Sequence, residues 1–204
     1  MHVITDPPIL YFGTPVVLIS TLNPDGSPNL APMSSAWWLG HRCLLGLAGS
    51  SKTTENLRRT GECVLNLPSE DEAEHVDRIA RTTGSDPIPA SKRRRGYVHV
   101  ADKFAEAGLT AVPSDLVGPP RAAECPVQME ARLVEAHPFS GFAFALEVNV
   151  ERVHVCEQLL AAPDRIDPDA WRPLIMSFQQ FYGLADGRVR HSRLGEIPEA
   201  LYRV

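Results

Sequence analysis

The sequence predicts a mainly β protein, a closed or nearly closed antiparallel barrel with helical insertions. Short apolar and β-branched runs recur along the chain, bounded by Pro, Gly and Asn turn signals. Only two or three segments space their apolar residues as helices do. There is no internal repeat and no low-complexity stretch. The 204 residues, 44% hydrophobic and 22% charged, fit one globular domain over 1–204 that needs no metal or disulfide staple.

The first strand is Pro15–Thr21, PVVLIST. It runs into Asn23-Pro24-Asp25-Gly26, where Pro24 presets φ and Gly26 tolerates positive φ. The chain returns over Ser27–Trp38 as an irregular arm, because Pro28 and Pro32 cannot donate ladder hydrogen bonds. Arg42–Ala48 is the next strand. Gly49-Ser50-Ser51-Lys52 opens a short helix over Thr53–Thr60, with Ser50 or Ser51 as its cap and Gly61 placed to end it.

Glu62–Leu67 reads as a strand. Glu70–Thr82 carries Ala73, Val76, Ile79 and Ala80 at helical spacing, behind acidic residues that suit a helix start. Gly84–Gly96, rich in Pro, Ser and Arg, reads as an exposed loop. Val100–Ala107 holds one or two helical turns, and Ala111–Cys125, with three prolines, is extended coil. Pro126–Val134 and Phe142–Cys156 are β-rich. Ala170–Phe181 combines a turn and a short strand. A polar tail, about 185–204, is expected to wrap the surface or a neighbouring subunit.

A net charge of -5 and a pI near 5.8 give a nucleic-acid partner no electrostatic support. The one basic cluster, Lys92–Arg95, is either a solvated loop or a steering element for an anionic substrate. Cys43, Cys63, Cys125 and Cys156 form no CxxC pair, so buried free thiols and a cytoplasmic location are expected. His2, His41, His75, His99, His154 and His191 are scattered without metal-ligand spacing, and no metal is expected. Met1–Pro8 has no signal-peptide pattern, and no apolar run could span a membrane.

Two stretches carry the chemistry. Ala48–Asn56, AGSSKTTEN, sets hydroxyls, a glycine and Lys52 between a strand and a helix. Free N–H groups, a partial positive charge and a lysine at a helix start suit a phosphate; a plainly capped helix has the same composition. Asn29–Ser35, NLAPMSS, has small side chains that let a planar ligand approach the backbone, where unpaired N–H groups could read a ring edge. An edge strand with bulges would look alike. Trp37 and Trp38 follow, suited to packing beside a ring, in the core or at a dimer interface.

The order PVVLIST, PDGSPNLAPMSS, GLAGSSKTTENLRRTGECVLNLPSE, then DKFAEAGLT, AECPVQMEARLVEA and WRPLIMSFQQFYGL resembles the flavin reductase-like, FMN-binding split-barrel family, from about Pro15 to Leu184. The resemblance implies a six-stranded antiparallel split barrel with helical insertions, in a homodimer that holds FMN near the interface. It implies ring contacts at Ala31, Pro32, Met33, Ser34 and Ser35. Phosphate and ribityl contacts fall at Ala48, Ser50, Ser51, Lys52, Thr53, Thr54 and Asn56. The implied activity moves electrons from NADH or NADPH through FMN to a flavin, a protein or a small-molecule acceptor.

Many NADH-using members of that family carry Gly-Asp-His just before the long late strand; here Gly141 is followed by Phe142 and Ala143. His137 is close but out of register. A non-enzymatic FMN carrier fed by a partner protein, or a flavin-free ligand-binding barrel, are the alternatives. No side chain is assigned a catalytic role.

Overall fold

Strand β1 (Val17–Leu22) divides its side chains between two cores. Val17 and Ile19 point into one, with Leu45, Leu65, Val127 and Leu146. Leu18 points into the other, with Val16, Leu30, Val76, Ile79 and Phe104. This is the period of two of a strand buried on both faces. The computed structural model that shows it describes residues 1–184, 192 and 194. The polar tail predicted for 185–204 lies almost wholly outside the described residues.

Six further strands complete the main sheet: β2 (Pro28–Met33), β3 (Ala36–Leu39), β4 (Arg42–Ala48), β5 (Glu62–Leu67), β6 (Val127–Phe139) and β7 (Ala143–Val155). Their order is β2-β1-β5-β6-β7-β4-β3, antiparallel throughout. The two edge strands, β2 and β3, are consecutive in the chain and joined only by Ser34-Ser35. The sheet therefore curls until its edges meet at a bend rather than a ladder, which makes it a split barrel. Seven strands stand where six were expected, because the arm over Ser27–Trp38 breaks at the two serines.

Four α-helices lie among the described residues: α1 (Lys52–Thr60), α2 (Ala73–Ala80), α3 (Ala90–Arg94) and α4 (Lys103–Ala107). Helix α1 buries Leu57 in the barrel core and ends at Gly61, whose φ of 73° is the left-handed cap. Helices α2 and α4 cover the outer core. Helix α3 corrects the reading of Gly84–Gly96 as a bare loop. Lys and Arg are good helix formers, and Pro89 stands immediately before the helix.

The coil predicted for Ala111–Cys125 contains a two-residue ladder, Ala111–Val112 with Arg121–Ala122. Its loop is pinned by the fully buried Glu130 carboxylate, which accepts from the N–H groups of Asp115 (2.9 Å) and Leu116 (2.6 Å). His154 hydrogen-bonds the same carboxylate at 2.7 Å. The hairpin Ile175–Ser177 and Gln180–Tyr182 pairs with Phe12–Pro15 in a small outer sheet. Cys43, Cys63 and Cys125 are buried thiols as predicted, but Cys156 is exposed. It sits just past the end of β7, where the chain leaves the sheet. Among the described residues no helix is long and apolar enough to cross a membrane.

Candidate functional site

The start of α1 is built by its own hydroxyls. Ser51 Oγ accepts from the Thr54 N–H at 3.1 Å, and Thr54 Oγ1 donates to the Ala48 carbonyl at 2.9 Å. Thr53 Oγ1 accepts from the Asn29 amide at 3.2 Å. The Asn56 amide donates to Asn23 Oδ1 at 2.9 Å and to Thr21 Oγ1 at 3.2 Å. Thr53, Thr54 and Asn56 are thus buried and hold the helix start against the β1–β2 hairpin. Ala48 and Ser50 are exposed, and Ser51 and Lys52 are half-buried. The N–H groups of Lys52 and Thr53 precede the first intrahelical bond, so the end keeps its donors. Lys52 Nζ meets both oxygens of Glu55, at 3.0 and 2.9 Å. Asn56 Oδ1 is buried with no partner among the described residues.

The second predicted stretch is the free edge of β2. Leu18 lies opposite Pro32 and Leu22 opposite Pro28. Proline has no N–H for the ladder, so the ladder bonds fall to Asn29, Ala31 and Met33, and the N–H groups of Leu30 and Ser34 face the open edge. Ala31, Pro32, Met33 and Ser34 are half-buried, and Ser35 is exposed. The Ser35 carbonyl accepts from the Gly46 N–H at 2.7 Å. A Cβ on Gly46 would lie 3.0 Å from Ser35 Cβ, so glycine permits this approach.

Two cavities mark the ends of β2. A cleft of about 320 Å³ is lined by Asn23, Asp25, Lys52, Gly84, Asp86 and His99, among others. An apolar cavity of about 140 Å³ is lined by Val16, Pro32, Met33, Ser34, Met176 and Phe181, with α2 behind it. From Asn29, which touches Thr53, to Ser34 is roughly 16 Å of strand. The structure therefore sets the two predicted stretches at opposite ends of one strand, each beside its own cavity.

The turn between β6 and β7 lies against the α1 loop. The Gly49 N–H donates to the Phe142 carbonyl at 2.9 Å, and Ala143 pairs with Ala48. Ser140 and Gly141 both have positive φ, 53° and 71°, in the three-residue turn that joins the paired Phe139 and Ala143. Phe139 and Phe142 flank the tip, and both are exposed. His137 lies two residues earlier, its ring nitrogens 3.8 Å from Glu135 and 3.7 Å from Glu147. Trp38 packs against the barrel core, while Trp37 is exposed on β3.

Sequence reasoning missed Lys103. It opens α4 yet is only 3% exposed. Burial and the nearby Lys92 ammonium pull its pKa down to about 7. A lysine between aspartate and phenylalanine carries no sequence signal of burial. Asp115, Glu130 and His154 also converge, ligand atoms within 4.8 Å. Their polar atoms already pin the 114–118 loop and meet Arg152, which donates to Asp115 at 2.6 Å. No spacing rule links residues so far apart in sequence.

A family model described as flavin reductase like domain matches residues 9–185. The uncharacterized protein YdfE of Bacillus subtilis (strain 168) is 40% identical over 180 residues, 87% of each chain. Among solved structures, flavoredoxin of Desulfovibrio vulgaris (Miyazaki F) superposes with a TM-score of 0.79 at 21% identity, covering 96% of this chain and all of that one. Nitrilotriacetate monooxygenase component B from Bacillus cereus gives 0.70 at 21% identity, over 89% of this chain and 88% of the other.

Proposed function

The chain belongs to the flavin reductase like family, and from that premise we propose that it binds FMN along β2 and acts as an FMN-dependent oxidoreductase. The observation that carries this reading is the pairing of a polar cleft holding Lys52 with the open edge at Pro32–Ser34, at the two ends of one strand. The residues fit the cofactor. Ser50, Lys52 and the N–H groups of Lys52 and Thr53 offer donors to a phosphate, beside the Ser51 cap. The orphaned acceptor on Asn56 suits a ribityl hydroxyl. The Ala31–Ser35 edge offers backbone groups and small side chains to a planar ring. When bound, FMN supplies the redox chemistry, and the protein supplies position and hydrogen bonds. NADH or NADPH is the proposed donor, and a flavin, a protein or a small molecule the acceptor.

A second reading, a non-enzymatic carrier fed by a partner protein, is favoured by the β6–β7 turn. Its tip presents phenyl rings beside the α1 loop and holds no titratable side chain. A homodimer with the cofactor near its interface accounts for edge strand β3, which leaves Trp37 and Leu39 exposed. The proposed location is cytoplasmic.

Fluorescence titration with FMN and riboflavin tests this reading. Saturable binding that prefers FMN is expected, and binding of neither flavin would leave the barrel a scaffold for another ligand. NADH or NADPH added to the FMN complex then separates the enzyme from the carrier. Rapid bleaching of the flavin supports the enzyme.

A further inference from the structure

We propose that the exposed arginines of α3 dock an acidic protein that delivers electrons to the bound flavin. This rests on the flavin reading above, in its form with a partner protein as donor. Residues 87–101 hold four of the chain's 20 basic residues and none of its 25 acids. Lys92 turns inward, donating to Thr83 Oγ1 at 3.0 Å and lying 5.7 Å from the centre of the Tyr97 ring. Arg93, Arg94 and Arg95 stay exposed, as does Arg81 beside them. None of these four meets a carboxylate among the described residues. Other arginines do: Arg42 meets Glu147, Arg78 meets Glu74, Arg132 meets Glu62 and Arg152 meets Asp115. Asp102, the acid that follows the segment, is taken up in capping α4 through the Ala105 N–H.

The basic face is held in place. Thr82 and Thr83 pair with Val98 and His99, and Arg81 donates to the carbonyls of Arg95 and Gly96 at 2.9 and 3.4 Å. A fixed array loses little freedom on docking. It also stands beside both cavities. Ala80, just before Arg81, lines the apolar one, and Gly84, Asp86 and His99 line the cleft. Successive residues of a helical turn point about 100° apart. Arg93, Arg94 and Arg95 therefore spread over a surface instead of closing on one phosphate, which suits a broad anionic partner. The rest of the chain carries the excess acid behind the net charge of -5. That excess repels an acidic protein elsewhere and steers it to α3. A nucleic-acid duplex or an anionic bilayer, negative throughout, would meet the same excess beyond the patch.

The probe is a reduced, acidic two-iron ferredoxin, mixed with the FMN-loaded protein in stopped flow. Each ferredoxin is oxidised by one electron, so two of them and two protons from solvent reduce and bleach one FMN. The second-order rate should fall about tenfold or more from low to high salt. Arg93→Gln/Arg94→Gln/Arg95→Gln should lower the low-salt rate by the same factor and lose most of the salt dependence, with FMN affinity and melting temperature unchanged. Arg94→Glu should give much of that loss by itself, and it serves alone if the triple variant fails to fold. A triple variant as fast as wild type, or a wild-type rate indifferent to salt, would overturn the docking assignment and leave FMN binding intact. Tighter binding of duplex DNA or phosphatidylserine vesicles through the same arginines would also overturn it. Wild-type protein that binds no FMN would defeat the flavin reading, and this assignment with it.

Discussion

Lys52 and Glu55 form a bidentate ion pair across the first turn of α1, at 3.0 and 2.9 Å. The lysine proposed to meet a phosphate is therefore held by a carboxylate on its own helix. Lys52→Ala should weaken FMN by about tenfold or more, the effect of a contact worth roughly 1.5–3 kcal/mol, while sparing riboflavin. Glu55→Gln should do the reverse and tighten FMN selectively. Titrating both variants with both flavins checks this pair of expectations. Equal losses for the two flavins in Lys52→Ala would mean Lys52 does not touch the phosphate.

Gly84, on the cleft wall, leaves no room for a side chain. A Cβ there would lie 2.6 Å from Asn29 Oδ1 and 3.3 Å from Lys52 Cγ. Gly84→Ala should displace the Thr83–Ser85 turn and cost about 1–3 kcal/mol of stability, as overpacking does. Weaker flavin binding should accompany the loss. Thermal melts and FMN titration of the variant measure both, and a variant indistinguishable from wild type would mean the turn moves freely.

Lys103 predicts a pH dependence. Its folded pKa of about 7 lies below the ordinary 10.5. Between those values the unfolded chain holds a proton that the folded chain has shed. The unfolding free energy of the flavin-free protein should therefore rise with pH across this window. Urea midpoints at pH 7 and pH 9 should show the rise in wild type and a smaller one in Lys103→Met. Equal slopes would place the titration elsewhere.

The cysteines should divide three to one. Burial pushes the Cys43 thiol up to about 12 and those of Cys63 and Cys125 higher still, whereas Cys156 is exposed. The thiolate is the reactive form. A colorimetric thiol reagent should therefore label one cysteine rapidly in native protein and four in denaturant. A second fast thiol would contradict the packing around the other three.

Glu130 should be the costliest acid to remove. Glu130→Ala would leave the Asp115 and Leu116 N–H groups and His154 without their shared acceptor, at a cost of about 3 kcal/mol. Chemical denaturation of the variant measures this. A loss below the cost of one hydrogen bond would mean that water replaces the carboxylate.

The strands and the first helix were legible because their signals are local. Arg42–Ala48 and Glu62–Leu67 appear with the predicted bounds, and Ser51 and Gly61 cap α1 where a hydroxyl and a left-handed glycine were expected. Helix α3 was obscured by its composition, since Pro, Ser and Arg in one stretch resemble a loop until Pro89 is seen to precede a basic helical turn. The break at Ser34-Ser35 was obscured too, because a strand that ends at a barrel corner shows no composition change.

By itself, then, the sequence determined the barrel class and the α1 cap, and singled out the two stretches proposed to meet the ligand, from neighbours a few residues away. Only the tertiary structure decided that these stretches lie at opposite ends of β2. It also decided that Thr53, Thr54 and Asn56 face inward as struts, and that Lys103 is buried beside Lys92. These outcomes depend on which strands pair and which helices cover them. Burial and electrostatic potential are set by atoms brought together from distant parts of the chain, and no local pattern encodes their sum.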